Sequence, residues 1–472
     1  MLTVVDAEKT KSFVNEFWDE SIVPTITEYI RIPNKSVAFD PDWEKAGHME
    51  DALQLALNWL EQHPIPGAQV QVGRQAGRTP LILLDCPGER EGTVLMYGHL
   101  DKQPEMTGWR ADLGPWQPKL EDGKLYGRGG ADDGYALFAS ICALSALADQ
   151  GRPRSRTVVL IEFSEESGSP DLPYWVEHFS ANIGKPDVVI CLDSGAGNYE
   201  QLWSTTSLRG LVSGTIDVHV LDEGVHSGDA SGIVPSSFRI ARQLLSRLED
   251  PLTGKILPES LYVEIPSERL EQAKDAAGDL GDAVWNRFPW ASDTQPLDKD
   301  PVACMLNRSW RPALSMIGVD GMPSIGDAGN VLRPNTCLKF SLRLPPTIDA
   351  VTAAASVKDL FSTDIPQGAD VRVSVDDAAS GWHAPPMVKW LSEALDSASN
   401  RYFGKGARHL GEGGSIPFMA MLHAQFPEAQ FVVTGVLGPG SNAHGPNEFL
   451  HVPYAKGLTA CIVDVLDSIP SN

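Results

Sequence analysis

Hydrophobic residues along the chain follow two rhythms. In the first, Thr93 to Tyr97, Thr157 to Phe163, Asp187 to Leu192 and Phe431 to Leu437 are near-continuous apolar runs, as expected of parallel strands covered by helices on both faces. In the second, Ile216, Val218 and Val220 alternate with Thr215, Asp217 and His219, while Leu338, Phe340, Leu342 and Leu344 alternate with Lys339, Ser341 and Arg343. Val371, Val373 and Val375 repeat the pattern around Arg372 and Ser374. A period of two describes a sheet with one wet face, usually antiparallel. The alternating strands fall between about residues 211 and 384 and the buried runs lie on both sides, so one domain is expected to be inserted into another. Residues 1–210 and 385–472 then form an α/β domain with a mostly parallel sheet and flanking helices, and residues 211–384 an α+β domain with an antiparallel sheet. Apolar spacing predicts helices over Val14 to Ile32, Met49 to Gln62, Gly134 to Gln150, Ser236 to Leu248 and Met387 to Tyr402. Pro385-Pro386 marks the return to the first domain.

Length supports the same division, since 472 residues exceed the usual ceiling of one hydrophobic core. Charge narrows the partners: 38 Lys+Arg against 62 Asp+Glu give a formal net charge of -24, a surface that repels nucleic-acid phosphates and anionic lipid. The six cysteines form no C-x-x-C pair, and most sit among apolar neighbours. The first twenty residues are too acidic for a signal or transit peptide, and the longest apolar run, Ala136 to Ala148, is too short to span a bilayer. The expectation is a soluble, cytoplasmic protein that binds neither nucleic acid nor membrane.

Each buried run ends in an ionisable group. TVLMYG leads into His99-Leu100-Asp101, TVVLIEFS into Glu165-Glu166, DVVICL into Asp193, and FVVTGVLGPGSNA into His444. In open α/β sheets the carboxyl ends of the strands are where ligands bind. A further carboxylate, Asp132, lies in the glycine-rich LYGRGGADDGYALF. His99, Asp132, Glu166, Asp193 and His444 supply the mixed nitrogen and oxygen donors that a pair of divalent ions requires, with one carboxylate to bridge; zinc is the leading choice, with manganese and cobalt also suited. Glu165 is left to take a proton from water and return it to a leaving amine.

The ordered set GHLDKQP, GW followed by LYGRGGADD, SEESGS, LDSG, VHSG, NVLRPNT with SLRLPP, GGSIP and AHGPNE resembles the dinuclear metallopeptidase family of carnosinases, Xaa-His dipeptidases, glutamate carboxypeptidase, aminoacylases and succinyl-diaminopimelate desuccinylase. The carnosinase branch is the most similar. The resemblance implies one metal on His99 and Asp193, the other on Glu166 and His444, and Asp132 between them. It further implies that Asp101 holds the second nitrogen of His99, that the Asp132-Asp133 peptide is cis, and that His226 of the inserted domain stabilises the oxyanion. In dimeric relatives that histidine reaches the partner's site, so a homodimer is expected. Arg343 is implied to grip the substrate carboxylate, with Asn330 and the backbone of Gly413, Gly414 and Ser415 lining the same pocket. The chain departs from the family pattern at Gly134, where the family loop carries Lys.

These features point to hydrolysis of a peptide or amide bond in a small carboxylate-bearing substrate, by a dipeptidase or carboxypeptidase. An N-acyl-amino-acid deacylase would use the same chemistry, and a non-catalytic relative would lack a ligand or Glu165. Gly438 to Ala443 imitates a dinucleotide fingerprint but comes too close to the end of the sequence for the required second strand, and no G-x-S-x-G elbow is present.

Overall fold

The computed structural model describes residues 5–414 and 416–470. The chain divides into two compact units, the first comprising Met1–Thr206, Ala384–Leu410 and Met421–Asn472, the second Ser207–His383 and Gly411–Ala420. Residues 411–420 go with the second unit because Gly411 packs against Ser207 and Ser309 and the Gly413 carbonyl accepts from Arg209 Nε at 3.2 Å.

In the first unit, the four apolar runs form the parallel centre of a mixed sheet. Ser155–Glu162, Arg90–His99, Val188–Cys191 and Gln430–Val433 lie side by side in that order, all parallel. Gln69–Gly73 and Leu81–Cys86 extend one flank antiparallel, and Trp203–Leu208 pairs antiparallel at the other. The central strands are buried over Val94–His99, Thr157–Glu162, Val188–Cys191 and Phe431–Val433, which is why they read as continuous apolar sequence. Helix Ala136–Asp149 is apolar around most of its circumference and carries eleven buried residues, as a helix enclosed on all sides must be. The helix expected over Val14 to Ile32 is interrupted: Ala7–Phe17 passes through a π-helical segment, Trp18–Ile22, before Val23–Ile30 begins. Pro24, with no N–H to donate, sits in the first turn after the shift of register. Among the described residues no helix is long and apolar enough to cross a membrane.

The second unit is built on a four-stranded antiparallel sheet in the order Ala313–Asp320, Asn335–Leu344, Gly210–His219, Asp370–Ala379. Register places Ile216 opposite both Leu338 and Val373. The alternate residues Val212, Ile216 and Val218 with Leu338, Phe340 and Leu342 form one face, which packs on helices Ser237–Leu248 and Ala350–Ser362. Ser236 and Asp349 start those helices by accepting backbone N–H groups from Arg239 and Thr352.

Candidate metal centre

Parallel strands end on the same edge of a sheet, so the groups that follow them meet. His99 closes its strand opposite Glu162, and a 3₁₀ turn, Glu165–Ser167, follows the neighbouring strand. His99 Nε2 lies 3.4 Å from Asp132 Oδ1, 3.8 Å from Asp193 Oδ2 and 3.9 Å from Glu165 Oε2. His444 Nε2 lies 3.1 Å from Asp132 Oδ2 and 3.2 Å from Glu166 Oε2. The two oxygens of Asp132 thus face two different imidazoles. Donor atoms of His99, Asp132 and Glu166 fall within 4.8 Å of one another, as do those of His99, Glu165 and Asp193. His99 and the carboxylates are buried or nearly so, whereas the His444 side chain is 55% exposed and marks the open side of the centre.

Burial of so many acids together is costly unless a cation joins them. Burial, then the neighbouring Asp193 charge, pushes Glu165 well above the usual carboxylate range. Burial likewise raises Asp193 to about 7. Asp132 behaves oppositely: burial disfavours its charge, but the His444 and His99 rings beside it outweigh this and hold it well below the ordinary carboxylate range. Burial works against an imidazolium at His444, yet Asp132 and Glu166 push that ring up to about 11. Both ring nitrogens of His99 and Oε1 of Glu166 are buried without a hydrogen-bond partner. Buried lone-pair donors with nothing to bind, on imidazole and carboxylate, suit divalent ions of the zinc type.

Local sequence explains the placement. The Asp132-Asp133 peptide is cis, as the resemblance implies. Gly134 has no room for a side chain, since a Cβ there would lie 2.3 Å from the Tyr29 ring and 2.4 Å from the Gly129 carbonyl. A lysine is therefore excluded at this position by Tyr29, whose ring lies 3.8 Å from the Lys102 ammonium. Asp101 does more than approach His99 Nδ1 at 3.3 Å: its two oxygens accept the backbone N–H groups of Glu165 at 3.0 Å and Glu166 at 2.9 Å. Sequence reasoning missed this, and also missed Gln103, whose Nε2 donates to Glu166 Oε2 at 2.6 Å. The signal for Gln103 was available, because it lies two residues beyond Asp101 in the same motif.

The remaining candidates belong to the second unit. His226 is exposed, on a two-residue strand paired with Val331–Leu332, and the Ser227 N–H donates to the Asn330 carbonyl at 2.9 Å. His226 and Asn330 are therefore neighbours. Arg343 pairs with Leu211 and Ala313 on the face opposite the core, and burial lowers its pKa. Gly413 is half-buried and Gly414 exposed; Ser415 lies outside the described residues.

Residues 95–468 match the model of peptidase family M20/M25/M40. The chain belongs to that family. It is 30% identical over 387 residues to a cysteinylglycine-S-conjugate dipeptidase of Corynebacterium striatum, covering 77% of this chain and 79% of that protein. Identity to the human beta-Ala-His dipeptidase is 28% over 379 residues, covering 75% and 72%. Among solved structures, this M20 peptidase resembles the di-peptidase Dug1p from Saccharomyces cerevisiae, with a TM-score of 0.78, 22% identity and 99% of each chain covered. Human carnosine dipeptidase 1 gives a TM-score of 0.75 at 24% identity, with 98% of each chain covered. The chain is thus a hydrolase of the M20 metallopeptidases, with their mixed sheet and separate antiparallel domain.

Proposed function

We propose that this M20 peptidase is a two-metal dipeptidase, cleaving the peptide bond of a small substrate with a free carboxylate. The observation that carries the reading is the convergence of His99, Asp132, Glu166, Asp193 and His444 around a carboxylate shared by two imidazoles. His99 and Asp193 would hold one divalent ion, Glu166 and His444 the other, with Asp132 between; zinc suits the donors best. Such a pair supplies Lewis acidity and lowers the pKa of bound water.

The chain's own groups do the rest. Glu165, carried on the turn that follows its strand, takes the proton of the attacking water and delivers it to the departing amine. Asp101 fixes both the His99 ring and the turn bearing the two glutamates. Arg343 takes the substrate carboxylate as a bidentate partner, with Asn330 and the Gly413, Gly414 and Ser415 backbone beside it, and His226 donates to the developing oxyanion. Catalysis belongs to a homodimer: Ala313–Asp320 is an edge strand of its sheet, with Met316, Ile317 and Val319 exposed, and such an edge offers unpaired backbone groups to a second copy. All six cysteines are free, which fits a reducing, cytoplasmic setting.

The deciding experiment compares Glu165→Gln with Glu166→Gln on dipeptides, beta-Ala-His and cysteinylglycine included, N-acyl amino acids and acyl-glutamates. The first variant should keep its metal and lose turnover, and the second should lose metal; both losing metal alike would overturn the division of roles. Arg343→Ala should raise KM for free carboxylates by about 2–4 kcal/mol more than for their amides. His226→Ala should depress kcat by about 10²–10³.

A further inference from the structure

The Glu165 carboxylate makes no hydrogen bond of its own among the described residues; its nearest ion-pair atom is His99 Nε2 at 3.9 Å. Glu166 differs, since Gln103 donates to it at 2.6 Å. A proton-transfer group without a side-chain anchor must be aimed by its backbone, because proton transfer demands hydrogen-bond reach. What holds that backbone is therefore decisive. Asp101 takes the N–H groups of Glu165 and Glu166, fixing the start of the turn but not the ends of the loop, Ser164 and Ser169, around it.

The ends are held by a different acid. Glu162, the last residue of its strand and 1% exposed, accepts three hydroxyls: Ser164 Oγ at 3.1 Å on Oε2, with Ser169 Oγ at 2.8 Å and Tyr97 OH at 2.6 Å on Oε1. Ser164 immediately precedes the 3₁₀ turn, and Ser169 closes the loop, its N–H donating to the Ser164 carbonyl at 3.0 Å. Ser169 sits at φ 54, a left-handed conformation that a non-glycine residue keeps only where other contacts hold it. One buried carboxylate thus clasps both ends of the loop that presents Glu165. It has no Lys or Arg partner among the described ion pairs, and burial raises its pKa to about 7. Buried acceptors surrounded by hydroxyls are expensive to replace with apolar groups, because each donor is then left unsatisfied.

We infer that Glu162 is a positioning residue for the hydrolytic reaction, setting the aim of Glu165 through Ser164 and Ser169. The inference rests on the reading of Glu165 as the proton-transfer group. Tyr97 supplies an internal control, because its hydroxyl bonds to the same oxygen as Ser169 but belongs to the central sheet and not to the loop.

The test uses the full-length, zinc-loaded enzyme, with kcat, KM, metal content and Tm measured for each variant. Ser169→Ala should lower kcat about tenfold with KM within about twofold and two metals retained, whereas Tyr97→Phe should lower Tm comparably and leave kcat alone. Glu162→Met should lower kcat about 100-fold, and Glu162→Gln, which keeps an acceptor for Tyr97 and Ser169, should recover most of it. Equal effects of Ser169→Ala and Tyr97→Phe on kcat, or a loss of kcat that only follows metal content, would overturn the inference. If Glu162→Met does not fold, the Ser169 and Tyr97 pair decides alone. Glu165→Gln, measured alongside, separates the two ideas. Full activity there removes the underlying reading, while an inactive Glu165→Gln beside an unaffected Ser169→Ala removes only the role of Glu162.

Discussion

Two groups of buried acids occupy the first unit and are neutralised in different ways. Near its C-terminal helix, Val452–Ser468, Asp467 pairs with Arg152 at 2.8 Å and with Arg90 at 3.6 Å, and Asp464 with Arg401 at 2.9 Å and the Tyr402 hydroxyl at 2.7 Å. At the strand ends, Asp132, Glu165, Glu166 and Asp193 meet only His99 and His444 among the described ion pairs. Burial raises Asp464 to about 6 and Asp193 to about 7, so the desolvation problem is similar in both places. The protein meets it with its own guanidinium groups in the first and with two imidazoles in the second. Where arginines meet the acids, the acids are structural; where only imidazoles do, the donor set is one that suits a divalent ion.

Breaking the strand-end group should have the largest effect. Asp132→Ala removes the carboxylate shared by both imidazoles, and is expected to leave at most one metal per chain by elemental analysis, with activity reduced by about 10³-fold or more. The same variant should change little at the C-terminal helix, where the arginines remain. Arg152→Ala tests the opposite side: it strips one cation from Asp467 and should cost about 3 kcal/mol of unfolding free energy, with kcat of the folded fraction unchanged. A comparable loss of kcat would merge the two groups into one.

Smaller shifts sharpen the contrast. Raising free zinc to about 100 times its dissociation constant should stabilise the protein by about 2.7 kcal/mol, and Asp132→Ala should lose most of that gain while Arg152→Ala retains it. The smallest expected effect is a slope with pH. Asp464 has its folded pKa raised to about 6, so between about pH 4 and pH 6 the folded state binds more protons than the unfolded chain and stability falls as pH rises. Asp464→Asn removes that term, and should gain about 3 kcal/mol relative to the parent across the same interval, flat on either side. Urea titrations at several pH values measure it.

The metal-binding candidates were legible because they are tied to strand ends. A run such as Thr157 to Phe163 announces a central strand, and Glu165-Glu166 just beyond it inherits a place at the sheet edge. His99 and Asp101 were readable in the same way. The double role of Asp101 was not, because its partners are the backbone N–H groups of residues 64 and 65 positions away, and backbone groups carry no sequence signal. Glu162 was hidden for a related reason, being a single polar residue inside an apolar run. Ala313–Asp320 escaped too: a bulge between Met316 and Gly318 breaks the alternation that exposed the other three strands.

By itself, the sequence determined which strands are buried on two faces and which on one, and which ionisable groups follow them, since periodicity and strand ends are local properties of the chain. Tertiary structure alone decided that Tyr29 fills the space beside Gly134, that Glu162 clasps Ser164 and Ser169, and that the buried acids of one region meet arginines while those of the other do not. Packing and charge neutralisation depend on which distant segments come within a few ångströms, and no pattern along the chain encodes that distance.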